Sequence, residues 1–311
     1  MSTVLITGVA GFIGSNLADR LLKRGHKVVG IDNLSYGIGE QIPEGVEFHQ
    51  VDIRDQSIYP VFRNSDYVFH LAAKNCISDC QIDPVETADI NVRGTVNVFE
   101  AARRAAVKKV IYAESSALYE GSSTLPTPES AVKPQSFYAV SKFSSMYFAE
   151  SYTRFFNLTT TALRYFCVYG PRQDYRRTIP PVFSAFIIKL LRNEQPVIYG
   201  TGDKRRDFIH VDDINDFHEM CMNDPRTNGK VFNLGSGTNV SVNEIYAMIA
   251  GLLGSKTKPL YEPDLPGEAF ANLADITEAR KLGWRPKIDL KTGLATSIEF
   301  IRSELANGKI A

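Results

Sequence analysis

Tyr138 and Lys142 stand four residues apart in FYAVSKFSSMYFAESY, so on a helix they share one face. An ammonium beside a phenol favours the phenolate, and a second cation bound nearby would add to that, drawing the usual tyrosine pKa of about 10 toward the working pH. Such a pair can take a proton from an alcohol and later return it. Ser115, closing the run KVIYAES, can hold the reacting oxygen near Tyr138, with its neighbour Ser116 as partner or substitute.

The chain opens with the β-branched run VLITG and continues as GVAGFIG, placing glycines at positions 8, 11 and 14. This pattern predicts a strand, a tight turn and a helix through SNLADRLLKRG, stopped at Gly25, with Leu17, Leu21 and Leu22 as its apolar stripe. KVVGID is the next strand, ending on Asp32. A glycine-rich turn feeding a helix, with an acid about twenty residues later, is the pattern of a βαβ dinucleotide site. The diphosphate meets backbone amides at the helix amino end, and the carboxylate accepts from the adenosine ribose. Asp32 would repel a 2′-phosphate and Asn33 offers no cation, which favours NAD over NADP; Arg54 is the cation nearby in sequence that bears on that choice.

VEFHQVD, DYVFHLAA, KVIYAES and TTTALRYF read as further strands, with helices near 91–106 and 137–156. The expected fold class is α/β, a Rossmann-type doubly wound parallel sheet with a smaller, discontinuous C-terminal lobe. Residues 1–170 are assigned to the nucleotide-binding domain and 171–311 mainly to a substrate lobe, with segments near 205–240 returning to the first domain. Pro171, Pro180 and Pro181 mark the change of texture. Beyond it, VFSAFIIKLLRN reads as a helix, FNLGS as a strand and SVNEIYAMIAGLLG as a helix whose Ser241 and Glu244 resemble a capping box.

The 311 residues suit about two domains, and 44% hydrophobic residues are enough for a sizeable core. Thirty-five basic side chains balance thirty-five acidic ones, so no broad field draws the chain to nucleic acid or an anionic membrane. No apolar run reaches membrane-spanning length. Cys76, Cys80, Cys167 and Cys221 are too sparse for a stapled scaffold and have no hydrophobic leader before them, so reduced thiols in the cytoplasm are expected. The five histidines are dispersed, no metal is called for, and His70 reads as a packed, hydrogen-bonded core residue.

GVAGFIG, Asp32 in IDNLSYG, DIRD, HLAAK, SSALY, YAVSK, RYFCVYGPRQ and YGTGDKRRDFIHVDD occur in the order seen in extended short-chain dehydrogenase/reductases acting on nucleotide sugars. Over nearly its whole length the chain resembles that family, and most of all its 4-epimerases of UDP-hexoses and UDP-N-acetylhexosamines. The resemblance implies NAD held by Gly8, Gly11, Phe12, Ile13, Gly14, Asp32 and Asn33, with Asp52 and Ile53 beside adenine. Leu71, Ala72, Ala73 and Lys74 would pass along the cofactor, and Ser115, Tyr138 and Lys142 would form the catalytic set. It also implies a UDP-linked sugar substrate touching Ser115, Ser116, Cys167, Arg206, Phe270 and Asn272, and a homodimer through a four-helix bundle to which Val98, Phe99, Met146, Tyr147 and Phe148 would lend surface.

Within the family, 4,6-dehydratases carry an Asp and a Glu directly after the hydroxyl residue, and UDP-glucuronate decarboxylases usually a Glu at the second place; here Ser116 and Ala117 stand there. A methyl group transfers no proton, which leaves epimerisation through a transient 4-keto sugar as the expected reaction. A nucleotide-sugar reductase, an atypical dehydratase and a non-enzymatic NAD- or sugar-nucleotide-binding scaffold are the alternatives. Departures from the family pattern are Cys167 for a usual substrate-contacting Asn, Phe270 for a usual second diphosphate-binding Arg, and Glu114 and Glu120 around SSALY for small residues. Asn272 replaces the tyrosine of hexose-restricted 4-epimerases, which would leave room for a 2-acetamido group.

Overall fold

The computed structural model describes residues 1–176, 180–264 and 269–310. Its first half runs β1 (Thr3–Thr7), α1 (Phe12–Lys23), β2 (Lys27–Asp32), β3 (Glu47–Gln50), β4 (Tyr67–His70), short α2 (Ile77–Ile82) and α3 (Pro84–Ala88), α4 (Thr95–Arg104), β5 (Lys109–Ser115), α5 (Phe137–Phe156) and β6 (Thr160–Tyr165). The second half runs β7 (Cys167–Tyr169), α6 (Val182–Leu191), β8 (Val197–Tyr199), β9 (Arg205–Arg206), β10 (Phe208–His210), α7 (Val211–Asn223), β11 (Lys230–Leu234), β12 (Val240–Ser241), α8 (Val242–Leu253), β13 (Leu260–Glu262), α9 (Thr277–Lys281) and α10 (Leu290–Ala306).

Seven strands form one sheet in the order β11-β6-β5-β4-β1-β2-β3, with every neighbouring pair parallel. Parallel strands covered on both faces need apolar side chains pointing both ways, and β1 supplies them in Val4, Leu5 and Ile6, all fully buried. Val4 and Ile6 join Leu17, Leu21 and Phe217 from α1 and α7 on one face. Leu5 joins Phe62, Val98 and Phe99 on the other. Each such side chain contributes about 1.5–3 kcal/mol of burial free energy. The expected strand near Phe232 is β11, which extends the same sheet beside β6 with Phe232 opposite Leu163.

The strand order reverses between β1 and β4. Chain crossovers leave to opposite sides there, opening a crevice beyond the carboxyl ends of these strands, where parallel α/β sheets take their ligands. A third cluster, including Phe183, Ile187, Ile249, Leu294 and Ile298, unites α6, α8 and α10. α8 begins with the expected capping box, Ser241 and Glu244 each satisfying the other's backbone N–H.

Two helical expectations change in detail. The helix expected over 91–106 begins as a wide π-type turn, Asp89–Gly94, and continues as α4 only to Arg104. Val98 and Phe99, expected to lend surface to a partner, are fully buried in the protein's own core, where Phe99 meets Tyr112 and Tyr152 edge to face. The apolar stripe of α4 is used up by the sheet it covers. α5 spans the expected residues, capped by the Ser136 hydroxyl and ended by Asn157 in the left-handed conformation, and exposes Tyr147, Phe148 and Phe155.

Candidate active site

The glycine turn after β1 is built for close approach. Gly8 has a φ of +77°, and a Cβ there would lie 2.8 Å from the Ala72 backbone nitrogen. A Cβ on Gly14 would lie 2.1 Å from the Gly8 carbonyl oxygen. Only glycine allows the turn, the HLAA segment and the first turn of α1 to meet this way. Gly11 is the N-cap of α1 and no side chain caps that end, so the amides of the turn containing Phe12, Ile13 and Gly14 keep the character of an anion site. These features fit a dinucleotide diphosphate.

Asp32 ends β2 with its carboxylate turned to the same turn, accepting from the Ala10 N–H at 3.1 Å and the Leu34 N–H at 2.9 Å. Burial pushes its pKa up, and those backbone N–H groups act the other way. Asn33 donates from Nδ2 to Asp52 at 2.8 Å. The Arg54 guanidinium, the cation that bears on the choice of cofactor, pairs with Asp52 and Asp89, and by hydrogen bonding holds the Asp52 carboxyl down at about 2. Ile53 is buried and packs on Gly94.

Leu71 and Ala72 follow β4, their N–H groups donating to the Thr7 carbonyl and hydroxyl at 3.1 and 3.3 Å. Lys74 is buried, and Glu86 pairs with it; burial is the largest influence and works against its charge, but Glu86 together with Tyr36 and Asp83 raises its pKa. Asn91, in the π-type turn, is a site residue that the sequence motifs do not mark. Its Oδ1 accepts from the Lys74 N–H at 2.8 Å, and its Nδ2 donates to the Lys74 carbonyl at 2.9 Å and the Ser141 hydroxyl at 3.0 Å. One buried amide thus ties the 71–74 segment to α5. An asparagine inside an otherwise amphipathic helical stretch is the only signal of it in the sequence.

Ser115 closes β5 and starts a 3-10 turn, Ser116–Tyr119, accepting from the Ala117 N–H at 3.2 Å. That turn packs against α5. Tyr138 is half-buried near the amino end of α5, and Lys142 is buried one turn on. Desolvation pushes the Lys142 ammonium down to about 8, opposed by the negative charge of Glu114. Glu120 serves the scaffold, its carboxylate accepting from the Ser136 N–H and hydroxyl, both at 2.8 Å, and so fixing the start of α5.

His70 is buried between the Thr7 and Thr95 hydroxyls, and desolvation pushes it down to about 3, the packed histidine expected. Among the described residues no group of three or more His, Cys, Asp or Glu side chains gathers at a spacing that could hold a metal.

Of the residues expected at the sugar nucleotide, Cys167, Arg206, Phe270 and Asn272 gather around β9, whereas Ser115 and Ser116 stand at the end of β5. Arg205 and Ala271 form a bridge, and the Phe270 carbonyl accepts from the Arg205 N–H at 2.9 Å and from Arg206 Nη1 at 3.3 Å. The Phe270 side chain is 65% exposed. Asn272 points Nδ2 at Cys167 Sγ, 3.6 Å away, and accepts from the Asp207 N–H at 2.7 Å. Asp207 is fully buried and knits this region together, accepting from the N–H groups of Ser236, Gly237 and Ala274 and from the Ser236 hydroxyl. Ser116 is half-buried at the start of its turn.

Residues 4–235 match the model of the NAD dependent epimerase/dehydratase family. A UDP-glucose 4-epimerase of Mycolicibacterium smegmatis is 36% identical over 310 residues, covering 96% of this chain and 98% of its own. The solved structure of UDP-glucose 4-epimerase from Thermotoga maritima with UDP-glucose superposes with a TM-score of 0.94 at 33% identity, covering 97% of this chain and 99% of that one. UDP-N-acetylglucosamine 4-epimerase from Methanobrevibacter ruminantium, in complex with UDP-N-acetylmuramic acid, gives 0.93 at 32% identity, with coverage of 97% and 99%. By its motifs, its fold and these likenesses, the chain belongs to the NAD dependent epimerase/dehydratase family.

Proposed function

We propose that the protein is a UDP-sugar 4-epimerase with NAD as its cofactor, acting on UDP-N-acetylglucosamine and UDP-N-acetylgalactosamine or on UDP-glucose and UDP-galactose. The observation that carries this reading is the buried Lys142, with a pKa near 8, one helical turn from Tyr138 on the helix that packs against the Ser115 turn. When bound, NAD supplies the acceptor and later the donor of the hydride at C4. The residues that would hold it are Gly8, Gly11, Phe12, Ile13 and Gly14 at the diphosphate, Asp32 and Asn33 at the ribose, Asp52 and Ile53 at adenine, and Leu71 to Lys74 along its path.

Tyr138 takes the proton of the C4 hydroxyl as that carbon becomes a ketone, and Ser115 holds the oxygen in place, with Ser116 beside it. The Lys142 ammonium stabilises the phenolate through the field of a nearby positive charge in a water-poor site. After the 4-keto sugar turns over, Tyr138 returns the proton from the same position. Arg206 grips the diphosphate, since a guanidinium fork matches two phosphate oxygens, and Cys167, Phe270 and Asn272 line the remainder of the substrate site. Firm hold on the nucleotide with loose hold on the hexose lets the ring present either face.

The same reading assigns residues 1–170 to the nucleotide domain and 171–311 mainly to the sugar-nucleotide lobe, with the 205–240 region bridging back through β11. It has the protein in the cytoplasm as a homodimer through a four-helix bundle, for which α5 offers the exposed Tyr147 and Phe148 while the apolar stripe of α4 is buried in its own core. Incubation with a panel of nucleotide sugars tests the function. Interconversion of C4 epimers without net change in NAD is expected. Net consumption of reduced cofactor, or loss of a water from the sugar, would overturn it.

A further inference from the structure

Glu114 is register partner of Arg164 across β5 and β6, and both side chains lie inside the protein. Arg164 Nε donates to Glu114 Oε2 at 2.6 Å, and Nη1 donates to the Tyr119 hydroxyl at 3.0 Å and the Glu129 carbonyl at 2.5 Å. Arg164 Nη2 reaches Met146 Sδ at 3.9 Å, and Met146 stands one turn beyond Lys142 on α5. The pair therefore lies under the face of α5 that carries the lysine. Among the described residues Glu114 Oε1 and, on that same face of α5, the Ser145 hydroxyl are buried without a hydrogen bond of full geometry, the Tyr112 hydroxyl being the further group that interacts with the Glu114 carboxyl.

A buried ion pair is weak as a stabilising device, because desolvating both charges offsets their attraction, and a carboxylate oxygen left unmatched costs more still. Something other than stability is served by a charge here. The charged and titratable groups that act on Glu114 are Arg164 from β6, Lys142 from α5, Tyr112 from its own strand and Tyr119 from the 3-10 turn; Glu150 on α5 acts on Tyr112. Burial pushes the Glu114 carboxyl up, while Arg164 and then Lys142 pull it toward the charged form. Lys142 in turn feels the charge of Glu114 and acts on the buried, neutral His70 of β4.

Resting on the epimerase reading, we propose that Glu114 is a positioning residue for the proton-transfer pair: anchored by Arg164, its carboxylate keeps the buried Lys142 ammonium charged beside Tyr138. Glu114 touches neither substrate nor cofactor in this role; it acts through Lys142. Without its charge, desolvation alone sets the lysine, which then loses its proton at lower pH and no longer favours the phenolate.

The test compares kcat and KM of NAD-loaded wild type, Glu114→Gln and Glu114→Asp from about pH 6 to about pH 10. In wild type, kcat falls as pH rises through the Lys142 pKa of about 8. Glu114→Gln should move that fall down by about one pH unit, a tenfold loss of kcat at fixed alkaline pH, with KM little changed. Glu114→Asp, which keeps the charge, should restore most of the profile. A folded Glu114→Gln enzyme with the wild-type profile overturns the proposal, because a purely structural role would change yield or melting temperature alone. If Glu114→Gln does not fold, the double variant Glu114→Gln, Arg164→Gln is compared with Arg164→Gln alone, so that the loss of the guanidinium is common to both; the double variant should show the fall at lower pH, and coincident profiles overturn the proposal equally. A wild type inactive on every sugar removes the epimerase reading itself, whereas an active wild type with an unmoved variant profile removes only the role of Glu114.

Discussion

The side-chain amide of Asn272 ties β7 to the link between β9 and β10, its oxygen on the Asp207 N–H at 2.7 Å and its nitrogen 3.6 Å from the thiol of Cys167. Cys167 offers no side-chain amide of its own, and an amide from another part of the chain stands against its thiol. Asn272→Tyr fills the space beside it. Activity on 2-acetamido substrates should drop at least about tenfold relative to their hydroxyl counterparts, since overlap excludes the bulkier group. Parallel kcat/KM measurements on the two substrate pairs check this, and an unchanged ratio would place the acetamido pocket elsewhere.

Gly14 tests the cofactor cradle. Replacing it by Ala puts a methyl carbon 2.1 Å from the Gly8 carbonyl oxygen, a contact that backbone must move to relieve. A cost of about 1–3 kcal/mol in stability and loss of most bound NAD are expected. Thermal unfolding and the cofactor content of purified protein read both effects.

The guanidinium of Arg206 and the exposed ring of Phe270 test the diphosphate grip. Arg206→Ala should raise KM for the sugar nucleotide by about tenfold or more, the worth of a charge-assisted hydrogen bond, while kcat changes less. Phe270→Arg adds a cation on the segment whose 270 carbonyl already accepts from Arg206, and should lower KM. Steady-state kinetics on one substrate at fixed salt distinguish these outcomes, because surface charge effects weaken with ionic strength.

Lys142 gives a pH signature in stability as well as in rate. Burial lowers its pKa from 10.5 to about 8, so between those values the unfolded chain binds more protons and the wild type gains stability as pH rises. Below about 8 the full desolvation cost is present. Lys142→Met removes a buried charge, so the variant should be more stable than wild type near neutral pH and lose that advantage across this window, while being nearly inactive. Melting temperatures of both proteins at matched pH measure the difference.

The cofactor half was legible because its chemistry is local. Three glycines, one acid ending a strand and a tyrosine–lysine pair at helical spacing each impose their geometry within a few residues, and β1, α1, β2 and α5 stand where the pattern put them. Burial of Val98 and Phe99 was not legible, because an apolar stripe announces that something covers it without saying whether that is the protein's own sheet or a partner. Glu114 presented the same difficulty: its anchor, Arg164, is 50 residues away and meets it only through the pairing of two parallel strands. Asp207 was not legible either, because its buried carboxylate collects N–H groups from three later residues that only the fold brings together.

Everything in the mechanism turns on the proton carried by Tyr138, and single-turnover epimerisation by Tyr138→Phe measures that transfer without intermediaries. With the variant folded, loaded with NAD and supplied with a UDP-sugar that the wild type converts, the rate should fall by about two to four orders of magnitude, the size of a lost general acid–base group. A rate near that of the wild type would contradict the role given to Tyr138, since another group would then have to move the proton.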